Sequence, residues 1–205
     1  VNAIYLKADW FFPFNAELTA PEPFTLLDGS QIEVDTMQFN EFLPSGSGEA
    51  WTAAQIPYAG EELSMIVVVP NNLGKFRDNF DAKRIKRIRR SIEDGGIHLH
   101  LPKFELSYHT SLVDPLKALG MTSAFGLGAD FSGMTGSAAL FIDAIEHETY
   151  VKVDEQGTEA AGATGTDMPL SHGPTVLVDK PFIFWIQDDA TGAILFLGQV
   201  TDPRG

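Results

Sequence analysis

The sequence predicts a mixed α+β fold in which antiparallel and mixed β-sheets outweigh a few short helices. Most apolar residues recur at every second position or in short unbroken runs, as they do in half-buried and fully buried strands. Helical spacing is confined to two segments, residues 79–93 and 112–119. Because strands mostly follow strands without a helix between them, the order of elements argues against a doubly wound parallel fold.

The predicted strands are separated by turn-forming residues. They cover residues 1–10, 25–27, 31–34, 51–57, 63–69, 97–106, 141–153, 175–178, 181–187 and 193–200. Asp28-Gly29 lies between two of them and is a strong hairpin signal. Prolines predict a turn at residues 21–23, and the Gly- and Ser-rich segment 44–48 predicts another.

The helix predicted over residues 79–93 has one apolar and one basic face. Ile85, Ile88 and Ile92 recur at helical spacing. Basic residues fill most of the other positions: Lys83, Arg84, Lys86, Arg87, Arg89 and Arg90. For the basic face the sequence favours ordinary solvation, with binding of a polyanion such as heparin as the alternative.

Composition limits the classes of function. The 205 residues suit one domain, and a hydrophobic content of 44% is ample for a buried core. A net charge of −14 argues against nucleic acid or an anionic membrane as a partner. The absence of cysteine removes disulfides, thiolate nucleophiles and cysteine-based metal sites. No apolar run approaches the ~20 residues that span a bilayer.

The most informative segment is EQGTEAAGAT at residues 155–164, directly after a predicted strand. With a period of two, one face holds only small or apolar residues: Thr158, Ala160, Gly162, Thr164, Thr166 and Met168. The opposite face is charged near each end, at Glu159 and Asp167. Such a segment is slim enough to enter a sheet as a new central strand, with one face suited to burial.

This segment resembles the hinge of the reactive-centre loop of serpins, the serine protease inhibitor family. The matching feature is Glu, any residue, Gly, Thr, Glu and then a run of small residues, all after a β-strand. Further segments resemble the family in the same order: 2–10 (NAIYLKADW), 99–104 (LHLPKF), 120–125 (GMTSAF), 129–134 (ADFSGM), 179–182 (DKPF) and 196–203 (FLGQVTDP). The resemblance covers nearly all of the chain.

The resemblance implies the serpin fold, with β-sheets A, B and C, and makes residues 1–205 the C-terminal part of a single serpin domain. The N-terminal helices A to F and the first strands of sheet A are then absent from this chain. Residues from about 155 to 180 form the implied reactive-centre loop. Its implied hinge comprises Glu155, Gly157, Thr158, Glu159, Ala160, Ala161, Gly162 and Ala163. An idle flexible linker is the less favoured alternative.

The resemblance also implies a protease inhibitor and not an enzyme. A protease attacks the loop as a substrate, an acyl-enzyme forms, and the loop inserts as a new strand of sheet A and distorts the protease. Two ways of counting place the scissile bond at Leu170–Ser171 or at Ser171–His172, and the first is favoured because leucine suits an apolar pocket.

The loop sequence indicates the class of target. A chymotrypsin-, elastase- or subtilisin-like serine protease is the expected partner, with a papain-like cysteine protease as a second possibility. A trypsin-like target is disfavoured because no Lys or Arg lies between Val153 and Lys180.

Three residues match positions where the family's sheet A opens, between residues 1–10 and 145–153. Asn2 and His147 match the shutter, and Trp10 matches the breach above it, where loop entry begins. The Asn2 amide and a neutral His147 ring are expected to hydrogen-bond across the closed gap. Protonation of His147 would change the balance between the closed and the open gap. A satisfied core histidine without a switching role is an equal alternative, and Trp10 is equally compatible with a core aromatic.

The other groups of potentially reactive residues give weaker support for a functional site. His98 and His100 share one strand face without a third ligand nearby, which favours ordinary sheet histidines over a metal site. The sequence offers no nucleophile–base pair that would support a hydrolase. No cofactor and no metal ion are predicted. The rival to an inhibitor is a non-inhibitory serpin-like binding or structural module, which the small hinge residues disfavour.

Val1 begins inside a strand pattern, so the chain is expected to be part of a longer protein. An extracellular or cell-surface location is the expectation. Sheet A without its first strands has an uncovered edge, which predicts association with the N-terminal segment or self-association. Alone, the chain is expected to inhibit poorly.

Overall fold

The computed structural model describes residues 2–136, 140–158 and 173–205. The strands in these ranges are β1 Asn2–Tyr5, β2 Ala8–Asp9, β3 Ala20–Thr25, β4 Gln31–Phe42, β5 Ser45–Gly48, β6 Trp51–Pro57, β7 Leu63–Pro70, β8 Gly96–Pro102, β9 Phe104–Ser111, β10 Glu146–Val153, β11 Gly157–Thr158, β12 Thr175–Leu177, β13 Phe182–Asp188 and β14 Ile194–Val200. The α-helices are α1 Leu73–Arg77, α2 Ala82–Ser91, α3 Val113–Ala118 and α4 Ser132–Thr135. This is the strand-rich α+β class with few helices that the sequence predicts.

The chain divides into two compact units. The first comprises residues 1–6 and 106–151, and the second comprises residues 7–105 and 152–205. In the first unit β10 is the middle strand of a sheet with the order β1-β10-β9. β1 runs parallel to β10 and places Asn2 opposite His147 and Tyr5 opposite Tyr150.

The second unit holds the remaining sheets. Their strand orders are β14-β13-β7-β6-β5, β12-β8-β4-β3 and β11-β2. In the five-stranded sheet β7 is buried from Ser64 to Pro70, as its unbroken apolar run predicts. β13 lies beside it and is buried from Phe182 to Gln187, so the two central strands form the middle of the core.

Helix α2 packs its apolar face on the core of the second unit. Ile88 is fully buried in a cluster with Trp51, Phe76 and Trp185. Asp81 starts the helix by accepting a hydrogen bond from the Arg84 N–H at 2.8 Å. The predicted helix over 79–93 is therefore too long, and the short helix α1 before it was not predicted.

The turn predicted at residues 21–23 is wrong, because these residues lie inside β3. Among the strands that the structure describes, β3 lies at the edge of its sheet and pairs with β4 alone. The N–H of Thr25 points away from β4 and donates to the Asp179 carbonyl at 2.8 Å. Pro21 and Pro23 lie four and two residues before Thr25, so their backbone nitrogen atoms also point away from β4. Their missing N–H groups therefore remove no hydrogen bond between β3 and β4.

The turn predicted at residues 44–48 is also wrong, because Ser45–Gly48 forms β5 and pairs with β6. Its glycines serve close packing instead of chain reversal. A β-carbon on Gly46 would lie 2.6 Å from the Ser91 carbonyl oxygen, and one on Gly48 would lie 2.6 Å from Trp51 Nε1. A strand with these neighbours has no room for larger residues at the two positions.

Several predicted strands have different bounds in the structure. The predicted strand 25–27 coincides only with the end of β3, and the predicted strand 31–34 is only the start of β4. Segment 1–10 is divided into β1 and β2, and segment 97–106 is divided into β8 and β9, because the pairing partner changes at each break. β10 begins at Glu146 and not at residue 141. No helix in the described ranges is long and apolar enough to cross a membrane.

Candidate functional site

The candidate site begins with a tight turn after β10. The Asp154 N–H donates to the Gly157 carbonyl at 3.1 Å, and the Gln156 N–H donates to Asp154 Oδ1 at 3.0 Å. The Glu155 carbonyl accepts from the Phe14 N–H at 2.7 Å, which ties the turn to the segment after β2. The start of the predicted hinge is therefore held by backbone hydrogen bonds.

The next two residues form the short strand β11. It pairs antiparallel with β2, with Gly157 opposite Asp9 and Thr158 opposite Ala8. Gly157 has a φ of +155°, and a β-carbon there would overlap the Ala8 carbonyl oxygen and lie 2.7 Å from Asp9 Cα. Only glycine allows this close approach of the two backbones.

Trp10 holds the same turn from the side of β2. Its N–H donates to the Gln156 carbonyl at 2.8 Å, and its indole Nε1–H donates to the Asp154 carbonyl at 2.9 Å. Its ring stacks on Tyr58 with centroids 4.6 Å apart and an interplanar angle of 15°. Trp10 thus makes a specific contact to the hinge in addition to its core packing.

Thr158 fits into a closed pocket beside this aromatic pair. Thr158 and Tyr58 are each 1% exposed, and their hydroxyl groups share a hydrogen bond of 2.8 Å. Burial raises the pKa of the Tyr58 phenol, so the phenol stays neutral and able to donate. A charged or bulky side chain at position 158 has no space here.

Glu155 anchors the turn electrostatically. Its carboxylate accepts from Lys103 Nζ at 2.9 and 3.1 Å and from Thr19 Oγ1 at 2.8 Å. Partial burial raises the pKa of Glu155, but the hydrogen bonds from Lys103, the backbone and Thr19 lower it by more. The net pKa lies below the ordinary value of 4.5. Glu155 is therefore ionised in the folded protein at neutral pH.

The hydrogen bonds and the ion pair of the site anchor the turn mechanically. Residues 2–136, 140–158 and 173–205 contain no group of three His, Asp, Glu or Cys side chains that could hold a metal ion. His98 bonds to Asn40 at 2.7 Å, and His100 contacts Glu22 at 2.9 Å. Both histidines thus have partners within the four-stranded sheet.

Comparison with known proteins decides the family. The family model described as serpin (serine protease inhibitor) matches residues 1–203. The chain belongs to the serpin family. This membership confirms the resemblance that the hinge segment and the ordered motifs indicated.

Sequence relatives include proteins named as inhibitors. The chain is 36% identical over 215 residues to a leukocyte elastase inhibitor of Xenopus laevis, covering 99% of this chain and 57% of that protein. It is 34% identical over 210 residues to a serpin-like protein of Methanosarcina acetivorans, covering 99% of this chain and 49% of that protein. The chain therefore spans about half the length of the curated relatives that it matches.

Solved serpin structures share the fold. Native protease nexin-1 with heparin has a TM-score of 0.82 and 28% identity, covering 98% of this chain and 55% of that chain. Human thyroxine-binding globulin in complex with thyroxine has a TM-score of 0.88 and 26% identity, covering 99% and 56%. The serpin fold predicted from the motifs is confirmed, and a thyroxine-binding protein is among the structural neighbours.

The residues that match the serpin shutter lie in the first unit. Asn2 and His147 are register neighbours on the adjacent parallel strands β1 and β10. The described partner of the His147 ring is Thr149, whose Oγ1 lies 3.2 Å from Nε2. The predicted hydrogen bond between the Asn2 amide and the His147 ring stays a prediction.

Several predicted serpin site residues lie outside the described residues. They are the later hinge residues Glu159, Ala160, Ala161, Gly162 and Ala163, and the reactive-bond residues Leu170, Ser171 and His172. Their roles stay predictions. Of the predicted hinge, the structure describes Glu155, Gly157 and Thr158.

Sequence reasoning missed three partners of the hinge. Tyr58, Lys103 and Thr19 lie 100, 52 and 136 residues from the hinge residues that they contact. Tyr58 follows a strand and Lys103 follows Pro102, so neither has a local pattern that indicates a contact. A buried tyrosine needs a hydrogen-bond partner, but only the fold shows which one.

Proposed function

We propose that this chain carries the reactive loop and receiving strands of an inhibitory serpin that acts as a suicide substrate. One observation carries the proposal. β11 lies antiparallel against β2, so the first residues of the hinge already pair as an added strand. β2 follows β1 after only Leu6 and Lys7, and β1 is a strand of the sheet that contains β10.

The register of β11 defines a path for the rest of the loop. Since Gly157 is opposite Asp9 and Thr158 is opposite Ala8, continued pairing brings Glu159 opposite Lys7 and Ala160 opposite Leu6. The same register ends with Thr164 opposite Asn2. Glu159, the first ionised residue of the loop to enter the sheet, therefore lies opposite the cation Lys7, and small residues follow it.

The burial of Thr158 defines which face of the inserted strand points inward. Side chains alternate along a strand, so Ala160, Gly162 and Thr164 share the face of Thr158. Thr158 is 1% exposed, and these followers are equally small or smaller. The inward face is the one that the sequence makes free of charge.

Insertion requires β1 and β10 to separate, because they are paired in the structure. An added central strand of about ten residues forms about ten backbone hydrogen bonds, each worth about 0.5–1.5 kcal/mol net. The total is on the order of 10 kcal/mol, which lies within the ~8–23 kcal/mol by which enzymes lower barriers. The released energy is sufficient to distort a protease active site.

The chemical step belongs to the protease. Its serine Oγ attacks the Leu170 carbonyl carbon, the bond to the Ser171 nitrogen breaks, and the new amino terminus leaves with the proton. The Leu170 carbonyl is then held as an ester until insertion removes the geometry needed for hydrolysis. The target is a chymotrypsin-, elastase- or subtilisin-like protease, met outside the cell or at its surface.

A non-inhibitory binding module is the second candidate, favoured by the likeness to thyroxine-binding globulin in complex with thyroxine. The hinge opposes it, because Gly157 and Thr158 are suited to entry and pack without strain on β2 and Tyr58. A module that never inserts its loop has no need of a charge-free face over residues 158–168.

The test mixes the full-length protein with chymotrypsin, elastase and subtilisin. An SDS-resistant adduct with a new amino terminus at Ser171 or His172 is expected. Thr158→Arg and Ala160→Arg are expected to abolish the adduct while cleavage continues, because the inward face cannot accept a charge. Thr158→Ser keeps the hydroxyl and is the matched control that keeps the adduct. Cleavage of the wild-type loop without any adduct would support the binding module instead.

A further inference from the structure

Two histidines lie next to each other on one face of β8, in the four-stranded sheet. His98 and His100 are separated by the buried Leu99, so both side chains lie on the same, partly exposed face. β12 runs beside β8 and places the exposed Thr175 opposite His98 on that face. The Cα atoms of the two histidines are about 7 Å apart along the strand, and both rings are accessible to a small ligand from solvent.

The Nδ1 atom of each ring has a partner on a neighbouring strand. His98 Nδ1 lies 2.7 Å from Oδ1 of Asn40, its register neighbour on β4. His100 Nδ1 lies 2.9 and 3.0 Å from the two carboxylate oxygens of Glu22 on β3. Because an amide oxygen and a carboxylate accept hydrogen bonds and do not donate them, each Nδ1 atom carries the proton and donates it.

This tautomer leaves a lone pair on the Nε2 atom of each ring. Within residues 2–136, 140–158 and 173–205, neither Nε2 atom of His98 and His100 has a hydrogen-bond partner. A histidine that binds a metal ion almost always donates its other ring N–H to a carboxylate, a backbone carbonyl or water, which fixes the ring and raises its basicity. His98 and His100 therefore both have the hydrogen-bonding arrangement of a metal ligand.

Glu22 is itself held by a further contact. Gln38 is the register neighbour of His100 on β4, and its Nε2 donates to Glu22 Oε1 at 2.9 Å. The side chains of His100 and Glu22 are 25% and 22% exposed, so the pair is partly shielded from water but still accessible. The carboxylate therefore fixes the orientation of the His100 ring and places negative charge behind it. A cation at Nε2 is stabilised by this charge.

We propose that His98 and His100 bind one divalent transition-metal ion through their two Nε2 atoms. Metal–nitrogen distances of about 2.0–2.1 Å place two ligating atoms about 3–4 Å apart, and two histidine side chains reach this separation by tilting towards each other. Imidazole suits Cu²⁺, Ni²⁺ and Zn²⁺, and of these Cu²⁺ binds most strongly. Water fills the remaining coordination positions, since the site has two protein ligands. This site is independent of loop insertion.

The test titrates the full-length protein, without an affinity tag, with Cu²⁺ in a calorimeter and records the electron paramagnetic resonance spectrum of the equimolar complex. Coupling of Cu²⁺ to two imidazole nitrogens is expected. His98→Gln and His100→Gln are each expected to weaken binding at least about tenfold and to leave one coordinated nitrogen. Zn²⁺ is expected to bind the wild type more weakly than Cu²⁺.

Two further variants separate a metal site from a purely structural pair of histidines. Glu22→Gln keeps both ligands but removes the carboxylate behind His100, so the affinity for Cu²⁺ is expected to fall about tenfold. Asn40→Asp gives His98 a carboxylate of the same shape as the amide, so the affinity is expected to rise about tenfold. Damage to the fold would not produce such a gain.

His109→Gln is the matched control. His109 also has a carboxylate partner, with its Nε2 atom 3.1 Å from Glu146 Oε2, but it lies on β9 in another sheet. Its substitution is expected to leave the affinity for Cu²⁺ unchanged. Equal weakening by His109→Gln and by the two β8 variants would overturn the proposal. So would an affinity that neither β8 variant lowers, or a loss of affinity in Asn40→Asp.

Discussion

Tyr58 and Thr158 share a buried hydrogen bond of 2.8 Å although 100 residues separate them in the chain. The bond lies where the hinge begins to pair with β2. It joins the first inward-facing residue of the proposed inserted strand to the ring that stacks on Trp10. The proposed point of loop entry is therefore part of the folded core of the second unit.

Removing the Tyr58 hydroxyl tests this contact. Tyr58→Phe leaves the Thr158 hydroxyl buried without its partner and is expected to lower the free energy of unfolding by about 1–2 kcal/mol. Thr158→Val removes the other half of the bond. In a double-mutant cycle by urea denaturation, the two losses are expected to add to more than the loss of the double variant. Additive losses would show that the hydroxyl groups do not interact.

The close approach at Gly157 predicts that alanine is not tolerated there. Gly157→Ala forces the new β-carbon into the Ala8 carbonyl and is expected to lower the free energy of unfolding by about 1–3 kcal/mol and to slow adduct formation. Gly95→Ala is the matched control, because a β-carbon at Gly95 meets nothing within 4 Å. An equal effect of the two substitutions in urea denaturation would contradict the described pairing.

The ion pair of Glu155 predicts acid sensitivity. The pKa of Glu155 is lowered in the folded state, so its stabilising contribution is present above the unfolded value of 4.5 and is lost as pH falls through the folded value. The difference in Tm between the wild type and Glu155→Gln is therefore expected to shrink from about pH 6 to about pH 3. Glu33→Gln, at an exposed carboxylate, is the control. A difference that stays constant over this range would rule out the proposed linkage.

Moving an arginine along the loop locates the scissile bond. Leu170→Arg is expected to convert the full-length protein into a trypsin inhibitor, because the protease pocket reads the residue before the cleaved bond. Ser171→Arg is the paired variant for the alternative bond, Ser171–His172. An SDS-resistant trypsin adduct with one variant and not the other decides between them, whereas plain cleavage of both would count against inhibition.

Local sequence patterns were sufficient to predict much of the fold. The unbroken apolar run of β7 and the three isoleucines of α2 indicate burial directly, since burial depends on side chains that recur with the period of the element. The glycines of β5 and the prolines of β3 misled, because their local signal is a turn. Their actual roles depend on Ser91 and Asp179, which lie far away in the sequence, and on Trp51 in the next strand.

In the candidate site, too, some residues were predictable from local sequence and others were not. Gly157 and Thr158 belong to a contiguous motif and were predicted, whereas Tyr58 and Lys103 contact the hinge only because β6 and β8 bring them near it. Contacts between residues 52 to 136 positions apart leave no periodic trace in a single sequence.

The most direct test of loop insertion is the thermal unfolding of the full-length protein before and after its loop is cut. Thermolysin forms no acyl-enzyme and so separates insertion from trapping. Cleavage within residues 159–172 is expected to raise Tm by on the order of 20 °C, because the freed segment gains about ten backbone hydrogen bonds as a central strand. The cut Thr158→Arg variant is expected to show little of this rise. A wild-type Tm that is unchanged or lower after cleavage would contradict the inhibitory mechanism.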